Sequence, residues 1–172
     1  MGKVYPIGME RSTSGKESDE LSKQFVSKIC VLNSRVIDKL DGLKETTTLN
    51  NVRDIIGGLE RYLEKENEEL QTITENGEFE RIRLLERKES TGLYDHLNAP
   101  FDLSVEIEKN DISSVLNFAL SFANYKISIF SLWETEYEGN GVARVFGSMR
   151  SSEEERKRKL ENLLDAFVHH DW

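Results

Sequence analysis

Only two prolines, Pro6 and Pro100, occur in 172 residues, and neither lies in a segment where apolar residues recur every third or fourth position. An interior proline costs a helix ~3 kcal/mol. Long unbroken helices are therefore open to this chain, and four apolar stripes have the length to use them.

Ser18 or Asp19 can cap a first helix, whose stripe is Leu21, Phe25, Ile29, Leu32, Val36 and Leu40, widened by Val26, Cys30 and Ile37. Its expected stop is Gly42. Thr46, Thr47 and Thr48 offer capping hydroxyls to a second helix carrying Leu49, Val52, Ile55, Ile56, Leu59, Leu63, Leu70 and Ile73, which Asn76-Gly77 ends. Gly57-Gly58 falls inside it, at about 1 kcal/mol each against alanine, and suggests a close helix contact or a kink. Phe79, Ile82 and Leu85 predict a short helix, and Gly92 to Pro100 reads as loop. Asn110 or Asp111 caps a third helix, Ile112 to Tyr137. After Gly139-Asn140-Gly141, a fourth runs from Val142 to Val168 on Val145, Phe146, Met149, Leu160, Leu163, Leu164 and Phe167. No strand pattern occurs.

The expected fold is all-α, a four-helix bundle with one long crossover connection. A mobile arm at 1–17 precedes a single domain at 18–172, with hairpins at 18–75 and 111–168 and the crossover at 76–110. Helix three is apolar on more faces than one-sided cover can bury. It must lie centrally or meet a second subunit, and a symmetric homodimer through 112–137 is the expectation, with Phe118, Phe122, Tyr125, Ile129 and Trp133 as its interface.

A formal charge of -9 excludes a general nucleic-acid binder, which needs a basic stripe against phosphates. The basic run Arg156 to Lys159 follows Glu153-Glu154-Glu155 and reads as a solvated, paired face. Cys30 is the only cysteine, so neither an intramolecular disulfide nor a cysteine zinc site can form. No run of about 18 apolar residues suggests a membrane span, and the start has no signal-peptide pattern. The cytoplasm is the expected compartment. Asp165 and His169 stand at helical i,i+4 spacing and His170 follows, while His96 has no visible partner. No phosphate loop, nucleophile elbow or His-Glu-x-x-His is found.

Phe146, Glu153, Arg156 and Leu160 share the spacing of a helix that carries Glu-x-x-His in di-iron bundles, with Arg156 where the histidine would be. Ala119, Ala123 and Phe130 in helix three, and Ile56, Leu63, Glu66 and Leu70 in helix two, extend the pattern. On these residues the chain resembles the rubrerythrin branch of the ferritin-like superfamily, over about two-thirds of its length. The resemblance implies a di-iron carboxylate site handling oxygen or peroxide. Such a site takes a Glu from each of two helices and Glu-x-x-His from each of the other two. Here Ala123 and Leu63 stand at glutamate places, and guanidinium, which has no lone pair to give, cannot ligate a cation. At most Glu66 and Glu153 remain as metal ligands.

The residues expected to line this altered site are Ala123, Lys126, Glu153, Arg156, Leu63 and Glu66. A Lys126–Glu153 pair, or Arg156 bonded to Glu66, could hold the core in place of a metal. The leading expectation is a non-catalytic bundle acting through self-association or partner binding, with no catalytic residues and no cofactor. One alternative is a divergent iron-dependent oxidase or peroxidase drawing on Glu66, Glu153 and Glu60, Glu64 or Glu134. A second is a small-ligand sensor using the vacated core cavity.

Overall fold

The computed structural model describes residues 26–75, 101–136, 138 and 141–169. Among these residues the chain is all-α, a four-helix arrangement without strands, as the apolar periods predict. Helix α1 is described over 26–46, α2 is Asn50–Glu75, α3 is Ile112–Glu136 and α4 is Gly141–His169. The arm at 1–17, the short helix expected around 79–85, His96 and His170 lie outside the described residues.

Helix α1 does not stop at Gly42 but continues to residue 46. Nothing lies within 4 Å of where a Cβ on Gly42 would sit, so this glycine serves no close approach and costs only its propensity. The stop comes from threonine chemistry. Thr46 donates its hydroxyl to the Leu43 carbonyl at 3.1 Å, and Thr47 accepts from the Leu49 N–H at 3.3 Å. Within α2, Cβ atoms on Gly57 and Gly58 would meet only the guanidinium of Arg61 on the same helix, at 3.4 and 3.9 Å. Among the described residues no atom of another helix comes within 4 Å of either Cβ, so the expected close contact is not found there.

The loop ends are tied by polar side chains. Asn110 Oδ1 accepts from the Thr47 hydroxyl at 2.9 Å and the Thr48 N–H at 3.0 Å, which joins the start of α2 to the approach to α3. Asp111 caps α3 by accepting from the Ser113 N–H at 2.9 Å. Lys39 on α1 donates to the carbonyls of Leu103 and Val105 at 2.8 and 2.7 Å. That anchors the segment before α3, where the Phe101 ring packs on Phe118, Phe122 and Tyr125.

Two apolar clusters fill the interior. One holds Val26, Ile29, Leu70, Ile129, Phe130, Trp133, Phe146 and Met149, and the other runs from Val36 and Leu40 through Val52, Ile56, Leu59 and Leu63 to Leu116, Phe122 and Leu160. Helix α3 crosses both, which resolves its surplus of apolar faces: it lies centrally. Phe118, Phe122, Ile129 and Trp133 are buried within this one chain, and only Tyr125 of the five expected interface residues is partly exposed. Covering a large side chain is worth roughly 1.5–3 kcal/mol, and here the chain supplies that cover itself. By length and composition residues 112–135 could cross a membrane. They pack against α4 with Lys126 buried in their midst, and less than half of the apolar window is covered by the chain itself.

Candidate functional site: a charged layer at mid-bundle

Between the two apolar clusters lies one polar level, to which each helix contributes a buried side chain: Asn33 from α1, Glu66 from α2, Lys126 from α3 and Glu153 from α4. Each stands on its helix's buried stripe. Asn33 is four residues after Ile29 and three before Val36, and Glu66 is three after Leu63 and four before Leu70. Lys126 is four after Phe122 and three before Ile129, and Glu153 is four after Met149 and seven before Leu160. Helical spacing therefore sends all four inward whatever their polarity.

Lys126 is the hub. Its Nζ donates to Glu66 Oε1 at 2.8 Å and lies 2.8 Å from Glu153 Oε1, with 1% of the lysine side chain exposed. The contact to Glu153 is at ion-pair distance but misaligned, and leaves Glu153 Oε1 without a hydrogen bond. The ammonium also faces the Phe122 ring at 4.5 Å, a cation–π contact in a desolvated place. Asn33 donates to Glu66 Oε1 and to Asn67 Oδ1, both at 2.9 Å, while Asn67 donates to the Cys30 carbonyl at 3.3 Å.

Burial and charge pull the two carboxyls apart. Burial raises Glu153, to about 8, against the pull of the Lys126 charge, and the hydrogen bond and charge of Glu66 add to the rise. Burial also works against ionised Glu66, but the Lys126 charge and hydrogen bonds from Glu153, Lys126 and Asn33 outweigh it and hold that carboxyl below its usual range. Lys126 is desolvated, yet its two carboxylate neighbours raise it and keep it charged. The protonated form is thus favoured at Glu153 and the charged form at Glu66, where Lys126 supplies the balancing charge. Burial raises the Tyr62 phenol, followed by the charges of Glu153 and Glu66. Burial pushes the Cys30 thiol to about 11, with Glu66 adding to it, so Cys30 is a poor nucleophile.

Arg156 lies over the Tyr62 ring at 5.0 Å, and its buried Nε has no hydrogen-bond partner. It does not reach Glu66; the Lys126–Glu153 contact is the one present. Leu63, Ala123, Lys126, Glu153 and Arg156 line one cavity, and Glu66 joins them through Lys126. The cavity holds about 20 Å3, enough for one water, which needs ~10–15 Å3. A crevice of about 90 Å3 between α2 and α4, bordered by Tyr62, Glu66, Glu69 and Ser152, leads from Glu66 towards solvent.

The other acids considered as ligands are engaged elsewhere. Glu60 accepts from Lys44 at 2.6 Å, Glu134 from Arg150 at 2.7 Å, and Glu64 is exposed. Gly147 leaves room for that Glu134 carboxylate, which a Cβ would meet at 2.9 Å. Among the described residues no group of three or more His, Cys, Asp and Glu is placed to hold a metal ion. The side chains at mid-bundle do not fit a di-iron group. Lys126 Nζ stands between the two carboxyls where a metal would need their lone pairs, and neither imidazole is there to complete the set.

Asn33 and Tyr62 are members of this layer that periodicity overlooked. Taking Asn33 instead of Leu32 at the one stripe position between Ile29 and Val36 would have found the first, because Asn33 is fully buried and Leu32 is not. Nothing in the sequence distinguishes Tyr62 from a core aromatic. Comparisons with protein-family models, curated proteins and solved structures find no match, and nothing in them indicates a ferritin-like or rubrerythrin-like family.

Proposed function

We propose that this chain is a non-catalytic helical bundle of the ferritin-like, rubrerythrin-like type, in which the Lys126 ammonium takes the place of a metal centre and which acts by association. One observation carries the reading: a lysine Nζ bridges two buried carboxyls from α2 and α4 at 2.8 Å each, at the level the di-iron pattern marks. A fixed ammonium supplies the positive charge such carboxyls need, but neither an open coordination position nor a redox change. Purified from iron-supplemented medium, the protein is expected to carry no stoichiometric metal. Two irons per chain would overturn the proposal in favour of an oxidase or peroxidase.

Self-association as a symmetric homodimer is the form of association we favour. Between Ile112 and Trp133 the sole charged residue is buried Lys126, so the outward side of α3 presents Asn117, Ser121, Asn124 and Ser128 without charge. Two copies that each carry -9 repel least across such a face. Sedimentation at micromolar concentration should give a dimer, and Ser121→Glu should shift it towards monomer. A parent protein that sediments as a monomer would end this part. The water-sized cavity gives a small-ligand sensor no support.

A further inference from the structure

We infer that the second copy lies antiparallel on the first, with the wall of Asp102, Val105 and Glu106 beside α3 in each copy seated on the Lys28, Val31 and Arg35 face of α1 in the other. This rests on the self-association proposed above and adds its geometry. The outward residues of α3, Ser114, Asn117, Ser121, Asn124 and Ser128, follow one another at alternating steps of three and four. That is the 3.5-residue period which keeps one seam of a helix turned towards a partner helix laid along it. The same five residues line an open groove of about 680 Å3, walled by Phe101, Asp102, Val105 and Glu106. A second groove, of about 280 Å3, lies between α1 and α3 and is bordered by Lys28, Val31, Leu32 and Arg35. Tyr125 borders both grooves, so they adjoin on one side of the molecule.

The two grooves match in chemistry and in position. Each exposes one large apolar side chain, Val105 at 46% and Val31 at 48%. Acidic groups flank the first valine and basic groups the second, with Asp102, Glu106, Lys28 and Arg35 all exposed. The acidic wall stands near the start of α3, where the Glu108 N–H donates to Ser114 at 3.0 Å and Lys39 holds the Val105 carbonyl at 2.7 Å. The basic face stands towards the end of α3, because Ile29 belongs to the apolar cluster of Ile129 and Trp133. A two-fold axis across α3 near Asn124 reverses that order in the second copy, and so brings acid to base and valine to valine twice. An axis along α3 would instead set the groove side of one copy against the opposite side of the other, and acid and base would not meet. Complementary charges at matched positions fix the orientation.

Sedimentation equilibrium of the parent, Arg35→Glu, Glu106→Arg and the double variant Arg35→Glu/Glu106→Arg tests the arrangement. The parent should dimerise, and each single reversal should weaken its dimer at least about tenfold, because like charges then face each other. The double variant restores opposite charges at both copies of the contact and should return to within about threefold of the parent. Glu106→Arg is the sharpest arm: it lowers the net negative charge, so general repulsion alone would tighten the dimer. A parent dimer that the single reversals leave unchanged, or that the double variant fails to restore, overturns the arrangement and leaves self-association standing. A monomeric parent removes both.

Discussion

Near the α3–α4 hairpin, the rings of Trp133 and Phe146 pack with centroids 4.2 Å apart. Two turns along the same helices, Lys126 and Glu153 meet at 2.8 Å. Both pairs occupy buried stripe positions on the same two helices, yet they are held by different physics. The aromatic pair gains from area removed from water and tolerates any neighbour of suitable shape. The Lys126 ammonium has lost its hydration and is tolerable only while it faces the counter-charge of Glu66, which sits beside Glu153. Apolar ends thus supply stability, and the charged middle imposes a condition on which helices may face one another, and at what level.

The largest expected effect breaks the charged side of this contrast. Lys126→Met nearly conserves volume and would be mild in an apolar layer, at under about 1.5 kcal/mol. Here it should cost about 3–5 kcal/mol in urea unfolding, because it strands Glu66 in a place with 5% exposure.

The pH dependence of stability comes next. Glu153 is raised in the folded state from 4.5 to about 8, so its contribution is fully present below pH 4.5 and is lost as pH rises towards 8. Glu66 is lowered, so its contribution is present above pH 4.5 and lost on acidification below that. Stability should therefore fall by about 1 kcal/mol per pH unit between pH 5 and 8, with one proton taken up on folding at pH 6.5. Glu153→Gln should flatten that alkaline slope. A flat slope in the parent would show that the two carboxyls do not share a proton.

The smallest effect belongs to the apolar end. Ile129→Val, one turn from Lys126, should cost only about 0.5–1.5 kcal/mol and leave the pH profile unchanged. A changed profile would mean that the layers are coupled rather than distinct.

Helix existence and class were legible in the sequence, because long periodic stripes without interior proline admit few alternatives. Boundaries were less so: Gly42 reads as a stop, but a lone exposed glycine is affordable and Thr46 and Thr47 carry the terminating hydrogen bonds. Phe118, Phe122, Ile129 and Trp133 read as an interface because composition cannot tell a central helix from an unpartnered one. Lys126, Glu153 and Arg156 were found as a group by their spacing. Which cation would meet which carboxylate depended on helix rotation, and so Lys126 rather than Arg156 reaches Glu66. Asn33 was hidden because the stripe position between Ile29 and Val36 can fall on residue 32 or 33, and apolarity favours Leu32 although Asn33 is the buried one.

The central claim is that Lys126 is the charge that makes two buried carboxyls acceptable. Urea unfolding of Lys126→Met beside Lys126→Met/Glu66→Gln/Glu153→Gln tests it most directly. The claim predicts that the triple variant recovers most of the roughly 3–5 kcal/mol lost by the single one, because no charge is left stranded. A single variant within about 0.5 kcal/mol of the parent, or a triple variant less stable than the single, would contradict it.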